Sequence, residues 1–271
     1  MGQRTIVAAI LLPLAAASIY FGGFVYGLVI TGLLAAAAWE FAQLLKVVDL
    51  QPATPLILGG VILLAAVRFV VQFNYLAALL TGLIFAAAIY HIHQFEKGDT
   101  RPAADFGSTL SIICYVGFLG PYLISLRSLS NGMWWTFLVL PTVWIADTGA
   151  YLVGITLGKH KFAPKTSPNK TWEGYLASII TGTLGSLGLL FLYNQVFQAG
   201  LMISALEAAL LGLAISAFIP LGDLTESFIK RQAGKKDSGS IFPGHGGVFD
   251  RLDSLFWAAP IGYYIILHLF Q

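Results

Sequence analysis

The chain is expected to be an all-α, polytopic integral membrane protein, with about nine transmembrane helices and two polar cytoplasmic loops. Three observations carry that expectation. Of its 271 residues, 57% are hydrophobic and only 10% are charged. A soluble domain is about a quarter charged. The mean hydropathy is +0.79. The apolar residues also fall into runs of the length that a bilayer demands, about 20 residues each. The same composition excludes disorder, because apolar content is far too high. A net charge of +2 gives no electrostatic case for a nucleic-acid partner. Cys114 is the only cysteine, so no internal disulfide can form.

The first apolar stretch, Thr5 to Trp39, is too long for one helix. Gly22-Gly23 divides it into spans near 5–21 and 24–45. Further spans fall near 54–72, 75–93, 107–127, 132–153, 175–197, 201–222 and 251–270. Turns are marked by Pro52 to Pro55, by Lys97 to Pro102 and by Asn131-Gly132. Helices are the expected solution because a backbone in lipid must satisfy its own hydrogen bonds. Outer-membrane strands would instead show alternating segments of about ten residues. The chain divides in order into N-terminal transmembrane helices (1–130) and a C-terminal transmembrane catalytic region (131–271), together one integrated membrane domain. Arg4, an apolar run and Ala15-Ala16-Ala17 imitate a signal peptide. A second span follows at once, so the first is expected to be retained. Ile6 stands where myristoylation takes Ser or Thr.

Two loops are long and polar, Gly154 to Gly174 and Asp223 to Asp250. With nine spans and the N-terminus inside, 13 of 15 basic residues fall on one side. The other two are Arg68, inside a span, and Arg127. By the positive-inside rule both polar loops lie in the cytoplasm. The expected location is the cell (inner, cytoplasmic) membrane, multi-pass, with the active site facing the cytoplasm.

Charge in the second half gathers in three places. Asp147 lies in the apolar run Trp144 to Tyr151. An acid at mid-bilayer costs about 2.5–3.5 kcal/mol, which points to a metal or substrate contact. The plainer alternative is an acid near a helix end, reaching water or a buried lysine. The second place is Gly158 to Gly174, with Lys159, Lys161, Lys165 and Lys170. These lysines, with the hydroxyls of Ser167 and Thr171, suit a polyanion. They equally suit a topogenic loop against anionic lipid. Ser167-Pro168 is also a possible helix start, with Glu173 near its positive end.

The third place is the densest. Residues 223–253 carry five acids, five bases and a histidine. If Asp223 to Arg231 is helical, then Asp223, Glu226, Ser227, Lys230 and Arg231 share one face. Asp250, Asp253 and Ser254 share another at the start of the last span. Carboxylates there would hold Mg²⁺ as hard oxygen ligands, and the metal would bridge phosphates. Lys and Arg would take the remaining negative charge. Gly244, Gly246 and Gly247 let backbone approach a phosphate closely. Helix caps, dipole partners and topogenic bases are the alternatives for each residue singly. No zinc pattern, P-loop or nucleophile elbow is present in the sequence.

This cluster resembles a known family. Ser227, Ile229, Lys230, Arg231, Lys236, Asp237, Gly239, Phe242, Pro243, His245, Gly246, Gly247, Val248, Asp250, Arg251, Leu252 and Asp253 stand at the spacings of the phosphatidate cytidylyltransferase (CDP-diacylglycerol synthase) pattern. No mismatch occurs over its 27 positions, 227–253. Asp147 to Tyr151 and Ser167 to Gly174 resemble the family's other recurring segments. Asn169 stands where a lysine is common there. The specific resemblance covers roughly 144–256.

The resemblance implies that CTP plus phosphatidic acid gives CDP-diacylglycerol plus pyrophosphate, with Mg²⁺ dependence and room for a second cation. Asp223 and Asp250 are the first candidates for metal ligands, with Asp147, Asp237 and Asp253 behind them. Lys230, Arg231, Lys236 and Arg251 are expected to bind the triphosphate or the lipid phosphate. Lys165, Ser167, Lys170 and Thr171 would close over phosphates from the other loop, with Ser227, Gly246 and Gly247 also at the substrate. His245 is read as a general base, a supporting group or an ordinary loop histidine. Partners are CTP, phosphatidic acid and the bilayer. A homodimer is expected because Gly- and Ala-rich spans pack closely. The competing readings are a CTP-dependent lipid kinase, which would release CDP, and an anionic-solute transporter, which would show repeats and broken helices.

Overall fold

The computed structural model describes residues 2–70, 75–241 and 246–270, with side chains from residue 9 onward. Its helices are α1 (Gly2–Phe21), α2 (Gly23–Lys46), α3 (Thr54–Val70), α4 (Leu76–Glu96), α5 (Pro102–Ile112), α6 (Tyr122–Arg127) and α7 (Gly132–Thr156). A hairpin of β1 (Lys161–Ala163) and β2 (Ser167–Thr171) follows. Then come α8 (Trp172–Gln195), α9 (Ala205–Gln232), α10 (Phe249–Leu252) and α11 (Leu255–Ile265). Wider π-helical turns join α5 towards α6 (Ile113–Phe118) and close the chain after α11 (Ile266–Phe270).

Among the described residues, seven helices are long and apolar enough to cross a membrane. Two shorter apolar ones, Ala9–Phe21 and Thr54–Val70, complete the expected series. Large apolar side chains such as Phe21, Phe24, Leu28, Phe85, Ile89, Leu184 and Phe191 are exposed. In water such a surface would aggregate; facing acyl chains it is matched to its solvent. The protein is therefore a multi-pass, all-α membrane protein.

Two compact units make up the chain. The first comprises Met1–Ser125 with Ile229–Leu252, the second Leu126–Phe228 with Asp253–Gln271. In the first, α2 packs on α3, α3 on α4 and on the π-helical segment, and α4 on α5. Its core includes Leu34, Ala37, Ala38, Ile57, Val61, Leu64 and Val116. Arg68 is buried there, its guanidinium 4.0 Å from the Tyr122 ring centroid and 3.3 Å from Ser125 Oγ. Stacking on an aromatic face is how a cation is tolerated inside a span. In the second unit α7 packs along α8, and α11 against α7. Ser186 donates to the Ala208 carbonyl at 2.8 Å and Tyr175 to that of Ala217 at 3.1 Å, fastening α8 to α9.

The structure departs from the sequence expectation in three places. The fifth span starts at Pro102 rather than near 107, with the proline in the first turn, where its missing N–H costs nothing. The loop after α7 contains a hairpin, pairing Lys161 with Thr171 and Ala163 with Ser167 across a bulge. Ser167-Pro168 therefore starts a strand, not a helix. Thr171 caps α8 instead, its Oγ1 accepting from Gly174 N at 3.2 Å. Finally, α9 runs to Gln232, ten residues past the expected end at 222. No breaker stands between Asp223 and Gln232. The helix ends where Gly234 turns left-handed (φ 63°). Lys235 N–H then reaches the Lys230 carbonyl (2.9 Å) and Gly234 N–H the Arg231 carbonyl (3.1 Å), a Schellman motif.

Candidate active site

The extension of α9 makes Asp223 to Arg231 helical, as the shared face requires. In the second unit, Asp223 projects from α9 beside Gly222. A Cβ at residue 222 would land on the Asp253 carbonyl, so only glycine lets α9 approach the start of α11 this closely. The approach lets Ser254 Oγ donate to Asp223 Oδ1 at 2.6 Å. Lys170, from the end of β2, forms an ion pair with Asp223 Oδ2. Both side chains of that pair are about a quarter exposed, Lys170 26% and Asp223 24%, so water and ligands can reach them.

Asp147 of α7 lies within electrostatic reach of Asp223 and Lys170. Asp253 feels Asp223 and Asp147, and its side chain hydrogen-bonds with Glu226. Four carboxyl groups are thus linked through Asp223 and Asp253, and Lys170 lies beside two of them, Asp223 and Asp147. Like charges held this close call for further positive charge.

The hairpin that supplies Lys170 is braced by aromatic contacts. Phe162 stacks on Tyr175 (centroids 5.4 Å) and meets Trp172 edge-on (4.6 Å). Glu173, in the first turn of α8, accepts from His160 N–H at 3.2 Å and lies 2.6 Å from its Nδ1. Lys165 is exposed at the hairpin tip and Ser167 is half-buried in β2. Thr171 is buried and occupied as a cap. Ser227 is half-buried on α9.

In the first unit, Asp250 sits at the start of α10 with its carboxylate enclosed. Lys230 Nζ donates to Oδ1 at 2.6 Å. Ser238 N–H (2.8 Å), Ser238 Oγ (2.9 Å) and Gly247 N–H (2.8 Å) converge on Oδ2. The Lys230–Asp250 pair is largely buried, with side chains 14% and 6% exposed. Gly246 (φ 80°) packs beside Asp250 and Asp237. Arg231, Lys236, Asp237 and Arg251 are exposed. His245 lies outside the described residues.

The sequence expectation thus splits into two clusters. Asp147, Lys170, Asp223 and Asp253 meet in the second unit; Lys230, Gly246, Gly247 and Asp250 meet in the first. A buried acid beside the Asp250 cluster was missed. Glu40 of α2 is fully buried and accepts from Ser238 Oγ and Phe249 N–H, both at 2.9 Å. An acid inside an apolar span is the signal that finds it, the same one that singles out Asp147.

A divalent cation fits the second-unit cluster by its chemistry. The donors are hard carboxylate oxygens in negative excess. Among the described residues, no three His, Cys, Asp or Glu side chains form a set that could hold a metal alone.

Comparison with known proteins places this geometry in context. The model of the cytidylyltransferase family matches residues 2–270. The phosphatidate cytidylyltransferase of Synechocystis is 32% identical, over 98% of this chain and 97% of its own. That of Pseudomonas aeruginosa is 33% identical, over 96% and 94%. That of Bacillus subtilis is 36% identical, over 68% and 66%. With a match along nearly its whole length and relatives aligned end to end, the chain belongs to the cytidylyltransferase family.

Proposed function

We propose that this chain is a phosphatidate cytidylyltransferase, a nucleotidyltransferase of phospholipid biosynthesis. It joins CTP and phosphatidic acid to give CDP-diacylglycerol and pyrophosphate. The observation that carries the reading is the unbroken run from Ser227 to Asp253, whose acids and bases flank helix ends in a chain otherwise built for lipid.

The chemistry follows from the charges. An oxygen of the lipid phosphate attacks the α-phosphorus of CTP. The bond from that phosphorus to the bridging oxygen breaks, and pyrophosphate leaves with the electron pair. No general base is needed, because a phosphate monoester at neutral pH is already an anionic nucleophile. Both reactants are anions, so catalysis consists of neutralising charge and aligning the two groups. Lys170 and Lys165 on the hairpin and Lys230, Arg231, Lys236 and Arg251 on the signature segment are the cations we assign to phosphate oxygens. Asp223, with Asp147 or Asp253, would hold Mg²⁺ in the second unit; Asp250 is the candidate ligand in the first. When bound, the metal would supply charge neutralisation on the triphosphate and on the departing pyrophosphate.

The placement of 13 of 15 basic residues on one side supports a site that opens to the cytoplasm of the cell membrane, where CTP is found. A homodimer is the assembly we assign. The test is pyrophosphate release by the detergent-purified protein, omitting CTP, phosphatidic acid and Mg²⁺ in turn. Release that needs all three supports the reading. No release from folded protein across several acyl chains and divalent metals overturns it.

A further inference from the structure

Glu40 is the one fully buried acid of α2, and its surroundings are shaped to it. Its Oε2 accepts from Ser238 Oγ and from Phe249 N–H, both at 2.9 Å. Among the described residues, its buried Oε1 has no hydrogen-bond partner. Residues 239 and 247 crowd it from two sides: a Cβ at either would land on a Glu40 carboxylate oxygen. The glycines at these two signature positions therefore make room for the carboxylate.

The grip extends to the next residue. Phe41 stacks on the Phe249 ring at 5.0 Å and 20°. Two consecutive residues of α2 thus hold Phe249, one by its N–H and one by its ring, and Phe249 immediately precedes Asp250. Ser238 supplies a second link. Its Oγ lies 2.9 Å from Glu40 Oε2 and 2.9 Å from Asp250 Oδ2. A hydroxyl has a single proton and donates to one acceptor at a time. Whichever carboxylate receives it, the other is left facing an oxygen lone pair. Glu40 therefore governs how firmly the segment that carries Asp250 is held.

We propose that Glu40 is a positioning residue for cytidylyl transfer, acting through Ser238 and Phe249 to set the carboxylate of Asp250. The proposal rests on the cytidylyltransferase reading. It gives the N-terminal helices a part in the reaction, beyond anchoring the protein.

The test uses the full-length protein in detergent, with folded protein quantified by size-exclusion chromatography. CDP-lipid formation is followed against Mg²⁺ concentration for wild type, Glu40→Ala, Glu40→Gln and Ser238→Ala. In Glu40→Ala the expected result is a fall in kcat of about 10- to 100-fold and a rise in half-saturating Mg²⁺ of about tenfold. Ser238→Ala shifts the Mg²⁺ curve in the same direction. The double variant is no worse than Glu40→Ala, because both act along one path. Glu40→Gln, whose carbonyl oxygen can accept from both donors, returns kcat to within about threefold of wild type.

Wild-type kcat and Mg²⁺ dependence in folded Glu40→Ala overturn the proposal. So does a loss that tracks only the folded fraction and leaves the Mg²⁺ curve in place. Should Glu40→Ala not fold, an unshifted curve in Ser238→Ala overturns it alone. A wild-type protein that makes no CDP-lipid would overturn the underlying reading instead.

Discussion

Asp223 accepts from a lysine of one element and a serine of another, and remains reachable from water. Replacing it with Asn keeps the shape and removes the charge that pairs with Lys170. The expected outcome is a loss in kcat on the order of 100-fold with normal expression, measured by CDP-lipid formation. Lys170→Ala is expected to raise KM for CTP by about tenfold, since it removes a cation and takes from Asp223 its ion pair. Unchanged kinetics in both variants would remove the second-unit cluster from the reaction. Asp250→Asn differs in kind. Its amide nitrogen would meet donors already aimed at Oδ1 or Oδ2, so a stability cost of about 1–3 kcal/mol is expected besides any loss of activity. Thermal denaturation in detergent separates the two effects.

At the scale of elements, close approach and capping set the site. Gly222→Ala forces α9 off the start of α11 and is expected to cost about 1–3 kcal/mol and to lower activity together with it. Thr171→Ala removes the α8 cap and is expected to cost about 1 kcal/mol, with a smaller effect on kcat than Lys170→Ala. A Thr171→Ala protein with full stability and no activity would mean that the hydroxyl meets substrate instead.

Much of this level was legible in the sequence. Apolar runs fix spans because lipid leaves the backbone one solution, and the expected turn at Asn131-Gly132 appears with Asn131 left-handed (φ 54°). The hairpin was not legible, since its strands are short and their Pro, Lys and Asn content argues against strand. What holds them is aromatic packing on α8, a tertiary effect. The end of α9 was misplaced because hydropathy marks where a helix leaves lipid, whereas the Schellman turn at Gly234 marks where it stops. His91, near the end of α4, is buried, 2.8 Å from Thr109 Oγ1, a partner that only the packing of α4 on α5 supplies. Glu40 escaped for the reverse reason: its signal is present, yet its meaning depends on Ser238, 198 positions away in the chain.

At the scale of the whole molecule, the distribution of charge predicts topology. A single cysteine placed at Lys165, in a protein whose Cys114 is replaced, is expected to react with an impermeant thiol reagent only from the cytoplasmic side. One at Arg127 is expected to react only from the other. Reversal of that pattern would invert the orientation and separate the site from cytosolic CTP. Each unit carries a charged cluster in a chain whose large apolar side chains are widely exposed, which suits a reaction between one membrane-bound and one water-soluble substrate. The central claim is that the nucleotidyl group, and not a terminal phosphate, passes to the lipid. The most direct measurement supplies the purified protein with phosphatidic acid and CTP labelled either at the α- or at the γ-phosphate, then follows label into the lipid fraction. Cytidylyl transfer puts the α-label in the lipid and the γ-label in pyrophosphate; γ-label in the lipid, with CDP released, would contradict it.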